Sequence, residues 1–181
     1  ALMMIDLSDD TLIRDLVAGR EDAFAALYDR FASKLFKAAW SVLGTREDAE
    51  DAVQDVFVGL VQTRKTLGNV RNLNAYLFTA LYRATMKRAT RKKNERKLVT
   101  EMAQLPRPTT SSPPISEESE RLQCALQSLP IEQREVVMLK VDGGLTFEEI
   151  AASLNLSVST AASRYRYALS KLRSALTGRA E

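Results

Sequence analysis

The sequence predicts an all-helical chain of two domains joined by a flexible Pro/Ser/Thr-rich linker, and three observations carry that prediction. No segment alternates apolar and polar residues between turn pairs, whereas apolar residues at helical spacing recur almost throughout. Leu105 to Glu118 holds four of the five prolines, with Thr109, Thr110, Ser111 and Ser112 between them, a composition unable to bury a core. Thr146 to Thr160 reads as two short helices joined by a tight turn. The expected division is 5–97 for the first domain, 98–117 for the linker and 118–178 for the second domain.

In chain order, a short helix follows Ser8 and stops at Gly19. A long helix places Phe24, Leu27, Tyr28, Phe31, Leu35, Ala38, Ala39 and Val42 on one face and ends at Gly44. Thr45 caps a third, with Ala49, Ala52, Val53, Val56, Phe57, Leu60 and Val61 inside. Arg64 to Asn74 reads as a loop containing Gly68 and three asparagines. A fourth helix turns Tyr76, Leu77, Leu81 and Ala84 inward and then becomes strongly basic. Beyond the linker, one helix runs through Leu122 and Leu126, and another follows Pro130 with Val136, Val137, Leu139 and Val141. Thr146 then caps a helix, and Glu149, three residues on, completes a capping box. Asn155 tolerates the left-handed backbone that ends it, Leu156 fills the angle, and Ser157 caps the last helix.

The 181 residues are 45% hydrophobic and 27% charged, as in a soluble globular chain. Histidine is absent, which excludes His-based triads and H-E-x-x-H zinc sites. The lone Cys124 forms no internal disulfide, fits a reducing cytoplasm, and reads as a small buried hydrophobe beside Leu122, Ala125 and Leu126. No apolar run approaches the ~20 residues that span a bilayer, and the N-terminus shows no secretory signal, so no membrane insertion is expected.

Net charge is only +3, but its sign is unevenly distributed. Arg83 to Lys97 carries eight bases against one acid, Glu95. Eight crowded cations suit a polyanion, with Tyr76, Phe78 and Tyr82 just upstream for base stacking; the alternatives are a solvated helix end and aromatics that pack in the core. Glu47 to Asp55 carries five acids and no base. These carboxylates spread around a helix rather than converging as a metal site requires, leaving a solvated face or a docking surface; Gln54 and Phe57 favour docking. The helix-turn-helix is either a plain helical domain or a DNA reader. Ser157, Ser159, Thr160 and Ser163 favour the reader, being short polar residues at a helix start that approaches phosphates and base edges. Arg164 and Arg166 lie further along on different faces, one suited to the groove and the other to the backbone.

Taken in order, these motifs resemble a bacterial RNA polymerase sigma factor of the extracytoplasmic-function group. That family's Ala-Glu-Asp…Gln-x-x-Phe core is similar to Asp48-Ala49-Glu50-Asp51-Ala52-Val53-Gln54-Asp55-Val56-Phe57. Its Leu-Pro-x-x-x-Arg with a following leucine matches Leu129, Pro130, Arg134 and Leu139. Its pattern across the helix-turn-helix matches Ile150, Ala151, Leu154, Ser157, Thr160, Ser163 and Arg164. The resemblance covers almost the whole chain and implies sigma domains two and four.

It implies a transcription initiation factor, not an enzyme, acting in the cytoplasm with no cofactor and no metal. Its implied partners are core RNA polymerase, promoter DNA and an anti-sigma factor. Asp48, Glu50, Asp51, Gln54, Asp55 and Phe57 would bind the clamp helices of the polymerase's largest subunit. Asn69, Asn72, Asn74 and Tyr76 would capture a flipped base of the minus-ten element, and Arg83, Lys87, Arg88, Arg91 and Lys92 would hold the strand. Ser157, Ser159, Thr160, Ser163, Arg164 and Arg166 would read the minus-thirty-five element. The chain departs from the family at Tyr76 (Trp there), Arg83 (Asn), Lys87 (Asp), Ala161-Ala162 (Val-Lys) and Tyr167 (often Arg), which bears on promoter choice rather than fold. The rivals are a helix-turn-helix regulator that does not act through polymerase, disfavoured by the lack of a dimerisation seam, and a sigma mimic, disfavoured by the basic run.

Overall fold

The structure, a computed structural model, describes residues 8–100 and 117–177, without the side chains of 92–100 and 119. Of the expected linker, 98–117, residues 101–116 lie outside the described residues, whereas 98–100 form the end of α4 and Glu117 opens α5. Four α-helices form the N-terminal half: α1 (Asp9–Val17), α2 (Glu21–Leu43), α3 (Arg46–Thr63) and α4 (Leu73–Thr100). Four more follow: α5 (Glu117–Ser128), α6 (Ile131–Val137), α7 (Phe147–Leu154) and α8 (Val158–Thr177). No strand occurs among the described residues.

The apolar spacing of α2 buries Leu27, Phe31, Leu35, Ala38 and Ala39 against α3 and α4. Its last turn closes on Gly44, whose φ of +77° is a backbone that side chains rarely adopt and that glycine adopts freely. Leu67, Leu73, Leu77, Phe78 and Leu81 are also fully buried, so α4 is pinned along its first three turns. The segment expected to be a loop is partly helical: a short 3₁₀ helix spans Arg64–Asn69, with Leu67 as its buried anchor. Asn72 then caps α4, its Oδ1 accepting from the Ala75 amide at 2.9 Å.

In the C-terminal half α6 does not continue as an α-helix. Met138–Asp142 forms a π-type turn, with the Gly143 amide bonding the Met138 carbonyl at 3.0 Å. The wider turn shifts the face presented, so Val141, expected inside, stands 60% exposed. Three other inward expectations, Tyr28, Val61 and Cys124, fail for want of a partner surface. Tyr28 and Val61 face outward on α2 and α3, and the exposed Cys124 and Leu122 flank the single face of α5 that Ala125, Leu126 and Leu129 bury. Thr45 sits at the N-cap of α3 as expected, but its hydroxyl donates to the Asp48 carboxylate and accepts no backbone N–H.

The main core is continuous across both halves: Val136, Met138, Leu139, Leu145, Ile150 and Ala151 join the cluster built by α1 to α4. A smaller cluster ties α5 to α8 through Ala125, Leu126, Leu129, Val137, Ala168 and Leu172.

Candidate functional site

Three surfaces carry the residues singled out above. The first lies on α2 and α3. Spacing of 3.6 residues per turn puts Ala49, Ala52, Val53 and Val56 inside, which leaves Glu50, Asp51, Gln54 and Asp55 facing solvent. Between the helices runs an open, mostly apolar groove of about 590 Å³, lined in part by Tyr28, Phe36, Val53, Gln54, Phe57 and Val58. Tyr28 and Phe57 meet with ring centroids 5.0 Å apart. Arg46 pairs with Glu50 at 2.6 Å at the groove's rim. Tyr28, Phe36 and Val58 belong to this surface but escaped the sequence reading, because apolar spacing does not distinguish a groove wall from a core.

Arg88 joins this surface to the next. Its guanidinium reaches back from α4 to Asp51 at 3.1 Å and Asp55 at 2.7 Å, with only 17% of the side chain exposed. A cation expected on DNA and two acids expected on polymerase are thus partners of each other. Arg83, Lys87 and Arg91 are exposed along α4, whereas the side chain of Lys92 lies outside the described residues. Among the aromatics, Phe78 is wholly buried and unavailable for stacking, so its alternative reading as core holds. Tyr76 is half-buried, its hydroxyl 3.2 Å from that of Thr63. Asn69 is exposed, while Asn72 Nδ2 donates to Glu149 Oε1 at 3.0 Å and Asn74 Nδ2 to the Gly143 carbonyl.

The third surface is the helix-turn-helix. Thr146 and Glu149 form the reciprocal capping box that opens α7, with bonds of 3.2 and 2.8 Å. Asn155 closes α7 at φ +54°, and the Ser157 hydroxyl accepts the Thr160 amide at 3.1 Å to open α8. Phe147 packs edge-on to Tyr165 at 5.7 Å and fixes the angle between the helices. Ser157, Ser159 and Thr160 share a hydroxyl cluster, with Oγ separations of 3.0 and 2.7 Å at the N-terminus of α8. Arg166 is exposed and Arg164 half-buried, and Ser163 lies between exposed and buried. Donor hydroxyls, a helix N-terminus and an arginine one to two turns on can grip phosphate and reach base edges.

No group of three His, Cys, Asp or Glu side chains among the described residues is placed to hold a metal. No described helix is long and apolar enough to cross a membrane.

The sequence matches two family models: Sigma-70 region 2 over residues 27–96 and Sigma-70, region 4 over residues 119–172. Among curated proteins, the ECF RNA polymerase sigma factor SigW of Bacillus subtilis (strain 168) is 26% identical over 176 residues, covering 91% of this chain and 94% of that one. SigK of Mycobacterium ulcerans (strain Agy99), also named an ECF RNA polymerase sigma factor, is 27% identical over 177 residues, covering 93% and 95%. Among solved structures, CnrH in complex with the cytosolic domain of CnrY superposes with a TM-score of 0.69 at 26% identity, over 95% of this chain and 99% of that one. The sigma factor RpoE of Bartonella quintana, solved with the anti-sigma factor NepR, shares the fold at a TM-score of 0.71 and 23% identity, over 85% and 96%. The two family models together span more than half of the chain, which belongs to the sigma-70 family of RNA polymerase sigma factors, in its extracytoplasmic-function group. It is a promoter-directing transcription initiation factor.

Proposed function

We propose that the three surfaces divide initiation among themselves. The α2–α3 face, with Asp48, Glu50, Asp51, Gln54, Asp55 and Phe57, docks core RNA polymerase: its groove accepts apolar side chains of a helical partner while its acids meet that partner's bases. Asn69, Asn72, Asn74 and Tyr76 capture an extruded minus-ten base, and Arg83, Lys87, Arg91 and Lys92 hold the displaced strand, while Arg88, expected to join them, braces Asp51 and Asp55 instead. The first turn of α8 reads the minus-thirty-five element with Ser157, Ser159, Thr160, Ser163, Arg164 and Arg166. The division at 5–97, 98–117 and 118–178 follows these roles. Promoter opening draws on binding free energy and needs no covalent step, so the chain is no enzyme, and it acts in the cytoplasm.

The observation that carries this reading is the exposed hydroxyl cluster at the N-terminus of α8, set on a helix-turn-helix in the same chain as an acid-rimmed apolar groove. Because two structural relatives were solved with CnrY and with the anti-sigma factor NepR, an anti-sigma protein is the proposed regulator here too. Reversing Asp51 and Asp55 to Lys should weaken core-polymerase affinity at least about tenfold, the scale of ~1.4 kcal/mol, with the thermal unfolding of α5 to α8 unchanged. Unaltered affinity in a pull-down with core enzyme would refute the docking assignment, and failure to start transcripts on genomic DNA would refute the whole reading.

A further inference from the structure

Among the described residues the aromatic ring most open to solvent is Tyr167 of α8, 60% exposed. Ala161, Ala168 and Leu172 turn inward on this helix. At about 100° per residue, Ser159, Ser163, Arg166 and Ser170 fall on the opposite side, and Thr160, Ser163 and Tyr167 line one flank of it at spacing i, i+3, i+7. The Arg166 guanidinium lies 6.0 Å from the Tyr167 ring centroid, so a cation flanks the ring. An exposed tyrosine suits a protein partner or a duplex, and its surroundings decide between them. Protein hot spots gather several large apolar side chains in one patch. The other exposed apolar residues of α8 are Val158 and Leu176, each nine positions from Tyr167, and Leu169, two positions away. All three therefore lie about 160–180° round the helix from the ring. From Val158 to Thr177 the helix carries four bases, Arg164, Arg166, Lys171 and Arg173, and no acid. Tyr167 is thus a lone ring on a cationic, hydroxyl-bearing face, which suits a polyanion.

We infer that Tyr167 is a specificity-determining residue of α8, its ring taking the C5 methyl group of one thymine in the major groove. The inference rests on the assignment of α8 to the minus-thirty-five element. A recognition helix enters the groove by its first turn, where short hydroxyls such as Ser159 and Thr160 reach base edges. Further along, the axis draws away from the bases, and only a long side chain spans the gap. Tyrosine does so with just two side-chain angles to fix. A rise of about 1.5 Å per residue sets Tyr167 roughly 10 Å along the axis from Thr160, or about three base-pair steps of 3.4 Å. The arginine often found at this position in the family carries a fork that suits guanine O6 and N7. A tyrosine ring has no such fork and offers an apolar edge instead. In the major groove the group that rewards an apolar edge is the thymine methyl. Arg166, at the ring's side, meets the adjoining phosphate.

The test uses the full chain bound to core polymerase, and duplexes carrying the upstream sequence that this complex enriches from a random library. Each thymine of that sequence is replaced in turn by deoxyuridine, which keeps the base pairing and lacks only the C5 methyl. At one thymine the replacement should weaken binding by the native complex about three- to fivefold, the effect of one methyl group left in water. Tyr167→Phe should keep that discrimination, and Tyr167→Ser should abolish it. Both variants keep the fold, because Tyr167 joins neither core cluster. A native complex indifferent to deoxyuridine at every position, or Tyr167→Ser still discriminating at each sensitive thymine, would overturn the inference. So would Tyr167→Ser that reads thymine as before but binds core polymerase more weakly, which would place the ring on a protein. Should the complex start transcripts yet enrich no upstream sequence, the assignment of α8 falls first, and the inference with it.

Discussion

At the scale of single residues, Glu135 is the side chain least suited to its surroundings. It is 3% exposed on α6, and its Oε1 has no hydrogen-bond partner. Burial, reinforced by the nearby Glu132, pushes its carboxyl from 4.5 up to about 8, although Arg164 and Arg134 pull the other way. The folded chain therefore holds a proton that the unfolded chain has released, and stability falls as pH rises from about 4.5 to about 8. Replacing Glu135 by Gln should remove that slope. Native and variant chains should unfold at similar urea concentrations near pH 4.5, and the variant should exceed the native chain at pH 8 by on the order of 3 kcal/mol. Parallel curves across this range would show that the carboxyl is ionised in the fold. The burial of Glu135 was not legible in the sequence, where it reads as one more charge on a short amphipathic helix.

At the scale of elements, the helix-turn-helix was legible to the residue because its signals are local. A capping box, a left-handed Asn155 and a capping Ser157 each act within four positions of chain. Asn155 is the only non-glycine described with positive φ, so the turn between α7 and α8 depends on it. Asn155→Gly should leave stability within a few tenths of a kcal/mol, whereas Asn155→Val should cost about 1–2 kcal/mol and lower binding to the upstream element in proportion. Equal denaturation midpoints for the two would mean that the turn readjusts. Elements whose form depends on distant contacts were less legible. The π-type turn at Met138–Asp142 turned Val141 outward although its spacing follows an inward face. The Arg64–Asn69 segment became a 3₁₀ helix because Leu67 finds the core, which its glycine and asparagine do not advertise. Tyr28, facing a groove, is indistinguishable by period from Phe31, facing the core.

For the whole molecule, the sign of charge along the sequence predicted separate acidic and basic surfaces, but not that they touch. Arg88 is 33 residues from Asp55 and 37 from Asp51, and no local pattern announces such a pair. Its consequence is measurable. Each cation that neutralises a phosphate adds about one to the slope of log affinity against log salt concentration. Arg83 and Lys87 are exposed on α4, so replacing either with Ala should lower that slope for promoter binding by the polymerase complex by about 1. Arg88 is committed to two carboxylates, and removing it leaves Asp51 and Asp55 one helical turn apart without the guanidinium between them. Arg88→Ala should therefore change the salt slope by less than half as much as Lys87→Ala, while lowering the thermal midpoint of the N-terminal half and altering affinity for core polymerase. A slope change equal to that of Lys87→Ala, with the midpoint unmoved, would mean that DNA takes Arg88 away from its acids, and that the two charged surfaces act independently once a promoter is bound.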